Sequence, residues 1–150
     1  MLGLMQSQPL LISSMIEFAE RHHGDAEIVS RRVEGDIHRY TYRDLVARAC
    51  RLAHALDAYR LFFCDCVVSL VWIGFRHVAM CFGVSGSGRV LHTINPRLHP
   101  DQIAWIVNHA EDQVLCFDMT FLPLVQAVHA KCPTVKQWVA LCDTDKLPAD

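Results

Sequence analysis

Neither sign of charge dominates this sequence, and that absence removes two classes of partner at once. Its 14 basic and 16 acidic residues leave a net charge of -2 with a pI near 6.5, so nothing electrostatic favours nucleic acid or an anionic membrane surface. Charged residues are sparse at 20%, against 52% hydrophobic residues and a mean hydropathy of +0.20. That balance predicts either a rich core or an apolar face that meets a partner. Long hydrophobic runs are missing too. The most apolar window, Leu61 to Phe75, contains Asp65 and is followed by Arg76 and His77, so it falls short of the ~20 residues that span a bilayer. The opening stretch MLGLMQSQPLLISSMIEF lacks a positive start and carries Gln6, Gln8 and Pro9, which argues against a signal peptide.

A disulfide framework is absent as well. The 7 cysteines are odd in number and irregularly spaced, which predicts free thiols in a reducing compartment and hence a cytoplasmic protein. Cys64-Asp65-Cys66 is the one close pair. A zinc site would need two further ligands at a plausible spacing. None is near, so buried or incidental thiols are the expectation.

What is present is periodicity, over a length of 150 residues that suits one domain. Residues 10–23 place Leu11, Met15, Phe18 and Ala19 on one helical face, with Gly24 as the stop. Residues 26–42 predict two short strands around the turn Glu34-Gly35-Asp36. Thr41 caps a helix whose buried stripe is Leu45, Ala49, Leu52, Ala53 and Leu56. VVSLVW (67–72) has the continuous apolar character of a strand covered on both faces. A helix over 76–84, then RVLHTI, PDQIAWIVNHAE, QVLCFD, FLPLVQAVHAKC and VKQWVALCD follow as alternating strands and helices. That alternation predicts an α/β fold, a parallel sheet with flanking helices plus a small N-terminal hairpin.

Residues that could carry chemistry are few. Gly83, Gly86 and Gly88 have the spacing G-x-x-G-x-G, not the dinucleotide fingerprint, and they close a helix and lead into a strand. A phosphate loop needs the reverse order, with backbone N–H groups at a helix start facing the anion. Helix termination and close helix-to-sheet packing are therefore expected of these glycines, and no G-x-x-x-x-G-K-[ST] loop occurs. His22 and His23 suit a helix end. Asn108, His109, Glu111 and Asp112 suit a solvated helix end better than an acid-base pair, and Ser85 and Ser87 have no neighbouring base.

The stretch HRYTYRDLVARACRLAHAL resembles the first core motif of the adenylate-forming acyl-CoA synthetases, and FGVSGSGRVLHTINPRLHPDQIAWIVNHAEDQVLCFD is similar to their second motif and beyond. The wording VLHTINPRL…QI, with NHAED, resembles the medium- and long-chain fatty acyl-CoA ligase branch. The resemblance implies that residues 1–150 are a partial N-terminal AMP-binding (acyl-CoA synthetase) domain, truncated before the phosphate loop. For the full-length family it implies ATP, Mg2+ and CoA, a fatty acid or related carboxylic acid as substrate, and adenylation followed by thioester formation. The family's phosphate loop, magnesium-holding Glu and lid Lys all fall beyond residue 150. Accordingly no catalytic, cofactor-binding or metal residue is assigned, and no adenylation is expected of this chain alone. Asn95 and Pro96 are implied to face the substrate side.

Three departures from the family pattern stand out. Where such ligases read like L-G-V-x-P-G-D-R-V, this chain has Tyr59-Arg60-Leu61-Phe62-Phe63-Cys64-Asp65-Cys66-Val67, without the glycines and proline of a tight turn. Ile73 stands where Asn is common, and Arg89 where a small residue is usual. These losses suggest a relic under relaxed constraint. Three functions remain open: a truncated fatty acyl-CoA ligase inactive alone, an interaction module that forms a homo-oligomer or pairs with a complementary fragment or a full-length homologue, and a small α/β protein with its own ligand pocket.

Overall fold

The structure is a computed structural model that describes residues 3–4 and 6–147. Helix α1 (Ile12–His23) leads into the antiparallel hairpin β1 (Glu27–Arg31) and β2 (Ile37–Thr41). Gly35, at φ 101, makes the turn between them. Helix α2 (Tyr42–Ala58) starts where the sequence says it should. Thr41 Oγ1 accepts from the Asp44 backbone N–H at 3.2 Å, and the Asp44 carboxylate accepts from the Thr41 N–H at 2.9 Å. This reciprocal pair satisfies two donors that a helix start otherwise leaves open.

The second half is a four-stranded parallel sheet. β3 (Cys66–Leu70), β4 (Val90–Thr93), β5 (Val114–Phe117) and β6 (Gln137–Ala140) lie in the order β4-β3-β5-β6. The crossovers are α3 (Phe75–Gly86), α4 (Pro100–His109) and α5 (Leu122–Val128). The predicted parallel α/β sheet and hairpin are thus present. No helix among the described residues is long and apolar enough to cross a membrane.

Side-chain alternation assigns the two faces of the sheet. Val67, Val114 and Cys116 point to the side of α2 and α3, where they meet Leu56, Met80 and Val84. Val68, Leu70, Leu115 and Phe117 point to the opposite side and pack on Ile103 and Val107 of α4 and Val125 and Val128 of α5. β3 and β5 are buried on both faces, which is why their sequences are continuous apolar runs rather than alternating ones.

Three expectations need correction. On α1 the face toward the protein runs through Ile16 and Ala19, whereas Leu11, Met15 and Phe18 are exposed. The periodicity located a helix, but its apolar residues outnumber one face, so the pattern alone could not orient it. Gly83 packs on a helix and not on the sheet: a Cβ there would lie 2.8 Å from the Ala49 carbonyl of α2. Asp112 is fully buried and is no part of a solvated helix end.

Candidate functional site

Three places among the described residues bear on ligand binding, and the hydrogen bonding of each defines what it offers. The first is the glycine segment after α3. Its donors are consumed locally: the Ser87 N–H donates to Val84 O (3.2 Å), Gly88 to Ser85 O (3.2 Å) and Arg89 to Val84 O (3.2 Å). Ser87 Oγ donates back to the Gly83 and Val84 carbonyls at 2.7 and 2.9 Å. An anion cradle needs free N–H groups converging on one point. This loop has none to offer a triphosphate and forms a helix terminus, as its sequence order predicts.

Gly88 still requires glycine, for a structural reason. It sits at φ 80, and a Cβ there would meet the Phe63 ring at 2.6 Å. Arg89 behind it is buried and bonded to Ser87 Oγ (2.9 Å), the Asp57 carboxylate (2.5 Å) and the Leu61 carbonyl (2.6 Å). A buried guanidinium is tolerated only with such partners. Arg89 therefore ties the end of α2 to the entry of β4. The turn positions behave differently. Arg60 and Cys64, at the two places where the family pattern has glycine, both adopt left-handed backbone at φ 57 and 68.

The second place is the crevice at the carboxyl ends of β3 and β5. The chain leaves β3 for β4 on one side and returns across β3 to β5 on the other, so the strand order reverses between them. Open α/β sheets bind ligands at such a reversal. Here the crevice is filled by its own side chains. The buried Asp118 carboxylate accepts from the Trp72 N–H at 2.7 Å, the Trp72 indole N–H donates to Thr120 Oγ1 at 3.0 Å, and the indole leans on Phe121 with centroids 5.2 Å apart. Burial pushes the Asp118 carboxyl up, and the Trp72 N–H pulls it down. About 20 Å³ of space remains beside Gly74 and Asp118, room for roughly one water. Ile73, in place of the usual Asn, points outward at 89% exposure. Asn95 and Pro96 lie on this same edge, beyond β4. Asn95 Oδ1 accepts from the Arg97 N–H at 3.0 Å and closes a local turn.

Two charged groupings escaped the sequence reading. His92 Nδ1 lies 2.8 and 3.1 Å from the two Asp112 carboxylate oxygens, tying β4 to the start of β5. Burial raises the Asp112 pKa, opposed by His92. At the hairpin tip, Arg76 of α3 bonds Glu34 at 2.7 Å and Asp143 at 3.1 Å, and Arg32 contacts the same two carboxylates. Arg76 above all holds Glu34 down, to about 2. Arg76 meets partners 42 and 67 residues away and Arg32 meets Asp143 111 residues away, while His92 and Asp112 are 20 apart, so none of these pairs follows from helix or turn spacing.

Cys64 is exposed, and the weak Cys66 thiol contact goes to the Cys64 carbonyl. Among the described residues no three His, Cys, Asp or Glu side chains gather into a metal site.

The third place is a groove of about 390 Å³ on the α2/α3 side of the sheet. α2 and α3 cover β3 and the groove-facing Val114 and Cys116 of β5 there, and leave β6 half-buried. Val114, Cys116, Val139 and Leu141 form the floor, Leu52, Ala55 and Met80 one wall, and Arg48 and Arg51 the rim. The Arg48 guanidinium lies 4.9 Å from the Phe75 ring centroid. Burial first, and then Arg51 and Arg76, lower its pKa. No carboxylate among the described residues lies within salt-bridge distance of Arg48 or Arg51.

Residues 16–149 match the AMP-binding enzyme family, and the chain belongs to it. It is 46% identical over 141 residues to a 3-methylmercaptopropionyl-CoA ligase of Ruegeria lacuscaerulensis, covering 94% of this chain and 26% of that protein. It is 41% identical over 141 residues to a medium-chain-fatty-acid CoA ligase of Ectopseudomonas oleovorans, with the same two coverages. A long-chain-fatty-acid CoA ligase of Thermus thermophilus is 43% identical over 91% of the chain. Among solved structures, a Mycobacterium tuberculosis fatty acyl CoA synthetase superposes with TM-score 0.72 at 22% identity, over 87% of this chain and 26% of that one. A long-chain-fatty-acid CoA ligase from Rhodopseudomonas palustris, so described, gives 0.77 at 23% identity, over 92% and 34%. These share the fold. The chain spans about a quarter of the length of the curated relatives it matches.

Proposed function

We propose that this chain supplies the amino-terminal scaffold of an ATP-dependent acyl-CoA ligase and carries no adenylation activity alone. Residues 1–150 would be the partial AMP-binding domain that precedes the phosphate loop. The carrying observation is the pairing of 41 to 46% identity to CoA ligases across 94% of the chain with 26% coverage of those ligases. The glycine turn satisfied by its own hydrogen bonds and the crevice occupied by Trp72, Asp118 and Phe121 support the same reading. The complete enzyme would take a fatty acid or related carboxylic acid, ATP, Mg2+ and CoA. Its phosphate-binding and lid residues would come from the part beyond this chain. Seven unpaired cysteines support a cytoplasmic setting.

The test is ATP–pyrophosphate exchange with decanoate, measured on the chain alone and on a chimera. The chimera joins residues 1–147 to the remainder of the Ectopseudomonas ligase. Exchange by the chimera and none by the chain is the expected result; exchange by the chain alone would overturn it. A second reading, an interaction module, is favoured by the position of β6 at the sheet edge, where among the described residues it pairs with β5 alone. An unpaired strand edge is a template for another chain, either a complementary fragment or a second copy.

A further inference from the structure

The groove on the α2/α3 face has a shape and a charge that together specify what covers it. We infer that Arg48, Arg51 and the β5–β6 floor form a docking site for an amphipathic, carboxylate-bearing segment supplied by the portion of an AMP-binding enzyme that follows the region matched here. The inference rests on the scaffold reading above and names the contact through which that scaffold is completed.

Topology is the first argument. The step from β3 to β4 runs one way across the sheet and puts α3 on the groove side. The steps to β5 and β6 run the other way and put α4 and α5 on the far side. Parallel crossovers are right-handed, so another unit added beside β6 in the same direction would again place its helix on the far side. A helix added by that step would not close the groove. A covering element must reach it from a more distant stretch of chain, and the relatives extend to about four times this length.

Charge is the second argument. Arg76 is saturated by Glu34 and Asp143, while Arg48 and Arg51 face the groove without a carboxylate. Covering the groove would desolvate both guanidinium groups, which is costly unless acceptors arrive with the cover. The floor residues Val114, Cys116, Val139 and Leu141 are apolar. The occupant must therefore present an apolar stripe flanked by Asp or Glu, spaced to reach two cations one helical turn apart on α2.

Cys142 lines the groove, whereas Cys64 is exposed outside it, so thiol reactivity reports coverage. The experiment is iodoacetamide labelling, read by peptide mass spectrometry, on the chain alone and on the chimera. Cys142 should react at least about tenfold more slowly in the chimera, with Cys64 unchanged. Arg51→Glu in the chimera should restore Cys142 labelling by about fivefold, and Arg51→Lys should not, since charge is the recognised property. Arg51 is exposed, so neither variant threatens folding; circular dichroism verifies this.

Equal Cys142 rates in chain and chimera, with pyrophosphate exchange intact, would overturn the docking site and leave the scaffold reading standing. An inactive chimera in which Cys142 is protected and Arg51→Glu releases it would sink the scaffold reading instead. Concentration-dependent protection in the chain alone, with a dimer by light scattering, would assign the groove to a second copy and overturn the inference. Protection by decanoate without any added protein would do the same in favour of a fatty carboxylate.

Discussion

Arg60 and Cys64 show how a single φ angle can be inferred from a residue that is missing. Both stand where the family pattern has glycine, and both take left-handed backbone. A side chain in that conformation costs about 1 kcal/mol relative to glycine. The segment stays in place because Asp65 accepts from the Phe62 N–H at 2.7 Å and the Cys64 N–H donates to the Gly88 carbonyl at 2.9 Å. Arg60→Gly and Cys64→Gly should each raise stability by about 1 kcal/mol, seen as a higher urea midpoint. A fall in midpoint would mean that the side chains hold more than the turn does. Arg89 teaches the opposite lesson. As an isolated letter it suggested decay, because its three acceptors come from Ser87 and from a helix end some thirty residues earlier, which no spacing rule connects.

Elements were legible where their signals are local. The Thr41–Asp44 box, the stop at Gly24 and the apolar strands β3 and β5 all lie within a few residues of what they control. Contacts between elements were not legible. Gly83 was attributed to sheet packing because its sequence neighbours lead into a strand, yet its close approach is to α2. Gly83→Ala should force α2 and α3 apart and lower stability by about 1–3 kcal/mol, measured by thermal melting. The hairpin tip gives a pH prediction. Arg76 holds Glu34 down to about 2 from its ordinary 4.5, and Arg32 holds Asp143 below the usual carboxylate range. Carboxylates depressed in the folded state contribute fully above their unfolded values and lose that contribution as pH falls through the folded ones. The urea midpoint should therefore decline between pH 4.5 and about 2. Glu34→Gln should flatten part of that decline; an unchanged slope would show that the network adds nothing to stability.

Across the whole molecule, the sheet order sets a gradient of protection. β3 is bonded on both sides and buried on both faces, whereas β6 has a partner on one side alone. Amides of β3 and β5 should exchange with deuterium slowest and those of the edge strands β4 and β6 faster, with local opening governing the edges. Equal protection would place a second partner on β6. The alternation of strands and helices made the class of fold readable in advance. The strand order was not, since it depends on which side of β3 each returning strand finds, and that is decided by packing across the sheet.

The open edge at β6 also sets a timetable. In relatives about four times this long, the first quarter leaves the ribosome while the rest is still being translated, at roughly 5–20 residues per second. For tens of seconds by that rate, the nascent sheet would carry an unguarded strand and an uncovered face through a crowded cytosol. Chaperone demand during synthesis should therefore concentrate on this opening section rather than on the parts that follow it.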